Sequence, residues 1–207
     1  MAPSELVTAD PARRHRLIAD DFADRVHGTG DWSAAAPVPG WAARDVVVHL
    51  VEWLPGFVAS GSDIRLPDVP PPAEQPGPAW DAHQRAVQDL LDDPTTAGVE
   101  FANPHIGSMP LAQAIDRFYT SDVFMHTWDL ARATSQDDRL DPELCAVLLS
   151  GMEPTEELMR SSGQFGARVP VADDADPQTR LIGFIGRDPA WAARARALIV
   201  REPRTCP

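Results

Sequence analysis

Two side chains in one segment carry the chemistry this chain offers: Asp122 and His126, four residues apart in DVFMHTWD (122–129). On a helix that spacing is one turn, with about 40° between the two side chains around the axis. A carboxylate oxygen and an imidazole nitrogen so placed can grip one cation. They share an apolar arc with Leu111, Ile115, Phe118 and Met125, where an unsatisfied polar group is costly. Asp129, three residues beyond His126 on that face, can accept a hydrogen bond from the imidazole and orient it. The pair alone leaves two other readings open: an internal Asp–His hydrogen bond, or an ion pair to an arginine on a neighbouring helix.

His49 offers a third ligand. It stands in RDVVVHLVEW (44–53), beside Val46 and Trp53 on the shoulder of an apolar face. If two such helices face each other, His49, Asp122 and His126 make a three-ligand site with open coordination positions. That is the pattern of a catalytic rather than a closed structural centre. Two neutral imidazoles and a carboxylate suit Zn²⁺, with Ni²⁺ or Fe²⁺ as alternatives. Glu52 is near enough in sequence to act as a base, but its phase turns it towards solvent.

Helical elements must position these groups. Apolar periodicity predicts helices over 10–26, 41–59, 79–91 and 111–134. Pro55 and Gly56 should kink or end the second. The loop 31–40 and the proline-dense run 67–78 read as surface connections. Shorter helices are expected over 142–152, 155–159 and 177–185, with brief strand signals at 99–101 and 168–171. The fold class is therefore all-α: a four-helix core over 1–136 and a C-terminal helical extension, 137–207, packed on it.

The remaining histidines rank lower. His15, in the arginine-rich turn RRHR (13–16), is expected at the surface. His27 falls near a helix C-terminus, His83 sits on the third helix where phase decides whether it faces the site, and His105 lies in a loop that could line a pocket mouth. Cys145 reads as a buried helical residue and Cys206 as a tail thiol, with no disulfide between them. No GxSxG, GxGxxG, P-loop, HExxH or EF-hand pattern occurs.

Composition excludes whole classes. The 207 residues carry 31 acidic against 18 basic side chains, a formal charge of −13. Nucleic acid and anionic membrane surfaces are poor partners for such a chain. All the basic residues are arginine, so lysine Schiff-base chemistry is absent. Arginine, alanine and proline excess with scarce lysine and asparagine suggests a high-GC source. The N-terminus lacks the apolar core of a signal peptide, which predicts a cytoplasmic protein.

The segments GWAARDVVVHLV (40–51) and DVFMHTWDLARAT (122–134) resemble two signatures of the DinB-like superfamily. The resemblance is closest to the mycothiol-dependent maleylpyruvate isomerase-like, actinobacterial metal-binding branch. The blocks 169–177 and 180–189 resemble that branch's C-terminal region. The resemblance implies an up-down-down-up four-helix bundle holding a divalent metal on His49, Asp122 and His126. Asp122 stands where the characterised isomerases have a glutamate. It further implies that the metal activates a low-molecular-weight thiol of the mycothiol type, or water, for transfer to a small electrophile, in a monomer or homodimer. Arg187, and secondarily Arg132, could anchor a thiol's carboxylate. A non-catalytic metal-binding or ligand-sensing protein is the alternative, and a purely structural helical protein remains open as well.

Overall fold

A computed structural model describes residues 2–161, 163 and 165–193. They form a mostly helical protein with one small two-stranded sheet. In chain order the helices are α1 (Glu5–Thr8), α2 (Pro11–His27), α3 (Ala43–Gly61), α4 (Pro76–Asp92) and α5 (Pro94–Ala97). The strands β1 (Glu100–Asn103) and β2 (Gly107–Pro110) follow. Then come α6 (Leu111–Ala114), a π-helical turn (Ile115–Thr120), α7 (Ser121–Thr134), α8 (Pro142–Met152), α9 (Glu156–Ser161) and α10 (Pro177–Phe184).

Four long helices surround the core. α2 packs against α4 and α7, and α3 packs against the same two. Each presents an apolar stripe. Ile18, Phe22 and Val26 come from α2, and Val47, Leu50, Leu54 and Val58 from α3. Trp80 and Val87 come from α4, and Val123, Trp128 and Leu130 from α7. Caps set the boundaries. Asp10 accepts from Arg13 N at the start of α2, where Pro11 occupies the first position. The Asp45 carboxylate accepts from Ala42 N at 2.7 Å at the start of α3.

Local rules give way to packing in several places. α3 runs through Pro55 and ends at Gly61. Leu54 and Val58, both fully buried on either side, supply contacts that outweigh the lost backbone bond. The proline-dense run is partly helical, because Pro76 and Pro78 occupy the first turn of α4, where no backbone donor is needed. The expected helix 111–134 is broken by the π-helical turn, in which Ser121 N reaches back five residues to Asp116 O. The weak strand signal at 99–101 belongs to an antiparallel hairpin, with Phe101 opposite Met109. Residues 168–171 form no strand; Val169 N instead donates to Gly183 O.

The C-terminal helices continue from there. α8 packs on α10, and α1 touches both α2 and α8, with Ser4 N donating to a Glu143 carboxylate oxygen at 2.7 Å. Cys145 is buried in α8, as its position predicted, and burial lifts its thiol to about 12. Cys206 lies outside the described residues. Among the described residues no helix is long and apolar enough to cross a membrane.

Candidate metal centre

α3 and α7 lie side by side and bring His49 to Asp122 and His126. Three ligand atoms, one from each residue, lie within 4.8 Å of one another. His49 Nε2 is 3.1 Å from Asp122 Oδ2, and His126 Nε2 is 3.6 Å from Asp122 Oδ1. Two donors each about 2.1 Å from one ion stand about 3.0–3.4 Å apart at octahedral or tetrahedral angles. The His49–Asp122 distance falls in that range and the His126–Asp122 distance lies just above it, so a small inward shift would gather the three atoms on one first-row divalent cation, which the donor set suits.

Burial is graded across the centre. The His49 side chain is 34% exposed, Asp122 20% and His126 6%, while Asp129 has no exposure. One side of the triad is thus open to solvent, and the other is sealed.

Partners outside the triad orient it. Asp129 Oδ2 accepts from His126 Nδ1 at 2.8 Å. That bond places the ring proton on Nδ1 and leaves the Nε2 lone pair turned to the triad. Trp53, one turn after His49, donates its indole N–H to Asp122 Oδ2 at 3.1 Å. Trp41, from the loop before α3, stacks on His126 with ring centroids 5.8 Å apart, and lies 5.2 Å from the His49 ring.

The electrostatics fit a cation site. Burial pushes the Asp122 carboxyl up, but the charge of His126 and the hydrogen bonds from His49 and Trp53 hold it below the usual carboxylate range. Burial depresses His126, yet Asp122 and Asp129 outweigh it and leave its pKa above the ordinary value. Without a metal the pocket thus favours a proton on the same imidazole, so metal and proton compete there.

The uncharacterized proteins Rv0738 and MT0763, from two strains of Mycobacterium tuberculosis, are each 30% identical to this chain over 185 residues. The match covers 86% of this chain and 98% of theirs. The chain belongs to their family. No family model and no solved structure matches it.

In this family member the other site expectations fall out as follows. Arg187 does not present a free guanidinium to a substrate anion. Its Nε and Nη2 donate to the Asp129 carboxylate at 3.1–3.3 Å, and its Nη1 to Ile185 O. Arg132 pairs with Asp138 at 2.9 Å and donates to the carbonyls of Pro189 and Trp191. Glu52 is exposed, as its phase predicted.

His15 reverses the expectation of a surface residue. It is fully buried, with Nδ1 3.0 Å from Thr120 Oγ1. Arg13 and Arg16 reach exposed carboxylates and Arg14 turns aside to Asp116, while the phase of His15 puts it one turn before Ile18 and Ala19 and two before Phe22. His83 lies outside the triad, buried against Trp80 and Tyr119. Its ring and that of His15 flank Tyr119 at 5.7 and 5.8 Å. His27 pairs with Asp81 at 2.9 Å, and His105 is exposed in the turn between β1 and β2. Sequence reasoning missed the bond from Trp53 to Asp122, although its spacing from His49 put it on the right face. It also missed Trp41, which no periodicity flags because it precedes the helix.

Proposed function

We propose that this chain is a divalent-metal protein of the DinB-like superfamily, nearest its mycothiol-dependent maleylpyruvate isomerase-like branch. On this reading α2, α3, α4 and α7 are the up-down-down-up bundle, and His49, Asp122 and His126 hold the ion. The observation that carries it is the convergence of three ligand atoms from two neighbouring helices, together with the hydrogen bond that fixes His126 with Nε2 free. The mutual packing of the four long helices supports the bundle.

With Zn²⁺, or Ni²⁺ or Fe²⁺, bound by His49, Asp122 and His126, the site would have a Lewis acid able to lower the pKa of a thiol or water towards neutrality. The chain's own part is to present and protect. His49 and His126 offer neutral nitrogen lone pairs, and Asp122 supplies the compensating negative charge. Trp53 fixes one carboxylate oxygen, which orients the other towards His126. Trp41 covers the two imidazoles and limits water on that side. The exposed edge of His49 leaves an approach for a small co-substrate, a low-molecular-weight thiol of the mycothiol type with an electrophile as acceptor. With its acidic surface the protein works on small molecules, not on nucleic acid or membrane. It is cytoplasmic, and a monomer or homodimer.

Metal content decides the first half. Protein purified without chelators should carry about one equivalent of divalent metal, and His49→Ala/His126→Ala should carry none; equal content in both would refute the site. The second half is read by thiol consumption with mycothiol and an electrophile. Turnover lost on metal removal and restored by Zn²⁺ supports the enzyme. A loaded protein that neither binds nor transfers the thiol refutes it.

A further inference from the structure

We infer that Arg187 is a positioning residue of the metal centre, acting on His126 through Asp129. The inference rests on the metal reading above and extends it to the C-terminal segment.

The contact is between a fully buried carboxylate and a mostly covered guanidinium of opposite charge. Asp129 has no exposure and the Arg187 side chain 12%. Nε reaches Asp129 Oδ1 at 3.2 Å while Nη2 reaches Oδ2 at 3.1 Å, so the planar guanidinium grips both oxygens. Oδ2 is also the atom that accepts from His126 Nδ1. The guanidinium thus fixes the plane of the carboxylate that aims the imidazole. It also places a compensating positive charge against a carboxylate that has no exposure to water.

Local structure delivers the arginine to that point. α10 ends in a Schellman turn, with Arg187 N donating to Ile182 O and Gly186 N to Gly183 O. Gly186 has a φ of +83°, and a Cβ there would come within 3.0 Å of the backbone of Gly166 and Ala167. Neither the conformation nor the space admits a side chain. The turn sends the chain back under α7. There Arg187 Nη1 braces on Ile185 O, and Arg132, three residues past Asp129, holds the carbonyls of Pro189 and Trp191. The segment after α10 is tied to α7 at Asp129, which orients His126, and again at Arg132, one turn further on. A surface salt bridge would need none of this.

The test compares Zn²⁺ affinity by chelator competition, and the visible spectrum of the Co²⁺ form, across variants of the full chain. Arg187→Met should weaken Zn²⁺ binding about 10- to 100-fold and alter the Co²⁺ absorption bands. Arg187→Lys keeps the charge but not the two-pronged grip, so it should fall between wild type and Arg187→Met. It serves as the informative variant if Arg187→Met does not fold. Arg180→Met, at an exposed position on α10, should match wild type. An Arg187→Lys protein with unchanged Zn²⁺ affinity and unchanged Co²⁺ bands overturns the inference and leaves the metal centre standing. A wild-type chain that takes up neither ion overturns both.

Discussion

Acidification should destabilise this protein through His15 and His83, and the cost can be worked from their burial. Burial, with the neighbouring His83 and Arg16 charges, lowers the pKa of His15 to about 3, against a small opposing pull from Asp92. Burial alone lowers His83 to about 4. Thr120, Trp80 and Tyr119 line the same region and carry no compensating charge. In the unfolded chain each imidazole titrates near 6.5. A depressed native pKa gives stability that is complete above the unfolded value and is lost as pH falls. At pH 5 both unfolded histidines are protonated and both native ones are not. Each then costs about 1.36 kcal/mol for each of the 1.5 units between 6.5 and 5, or about 4 kcal/mol together. Because both native values lie below pH 5, the sum hardly depends on where they fall. His126, raised by its carboxylates, acts in the opposite direction, as do Asp21 and Asp116, raised by burial. A His15→Leu/His83→Leu variant retains those groups and cancels them. Urea unfolding at pH 7.5 and 5.0 in EDTA reads the difference. At about 2 kcal/mol per molar, the wild-type midpoint should fall about 2 M further than the variant's. Equal drops in the two proteins would show that the native histidines accept protons at pH 5, and the burial argument would fail.

Three further outcomes are expected. Asp129→Ala should weaken Zn²⁺ binding about 10- to 100-fold and lower stability, by no more than about 3–5 kcal/mol because the mostly covered Arg187 loses its partner yet keeps some access to water; chelator competition and urea unfolding check the two effects. Zn²⁺ at 100 times its Kd should add about 2.7 kcal/mol to the wild type, seen as a rise in Tm that His126→Ala does not share. Gly61→Ala should lower stability by about 1–3 kcal/mol, since its Cβ would lie 2.5 Å from the fully buried Phe101 ring; thermal unfolding measures it.

The helices and the pair on α7 were legible in the sequence because both obey local rules. The apolar stripes of α2, α3 and α4 repeat at helical spacing, and Asp122 and His126 share a turn wherever that helix lies. Asp129 follows from the same arithmetic. His49 was legible as a candidate, but its partnership with Asp122 depends on two helices lying side by side, which no local pattern states. Arg187 is 58 residues from Asp129, and nothing in its neighbourhood marks that carboxylate as its target. His15 was misplaced because three adjacent arginines dominate the composition of its turn, whereas helical phase, not composition, decides which side chain turns inward. The π-helical turn left no trace, since Ile115 to Thr120 read as ordinary helix formers and only packing selects the wider turn.

That turn bears on which sequence changes the chain can tolerate. A π-turn is an α-helix carrying one residue more than its hydrogen-bond ladder needs. The surplus residue lets Leu111 and Ala114 face the core upstream, Tyr119 and Thr120 face it beside His15, and Asp122 still reach the triad. Deleting one residue from 115–120 would restore a regular helix and swing everything on one side of it by about 100° relative to the other. Either the upstream anchor or the aspartate would then lose its place. Substitutions here are a matter of size and polarity, but length is counted to the single residue, and a one-codon loss would undo the centre while leaving every ligand in the sequence.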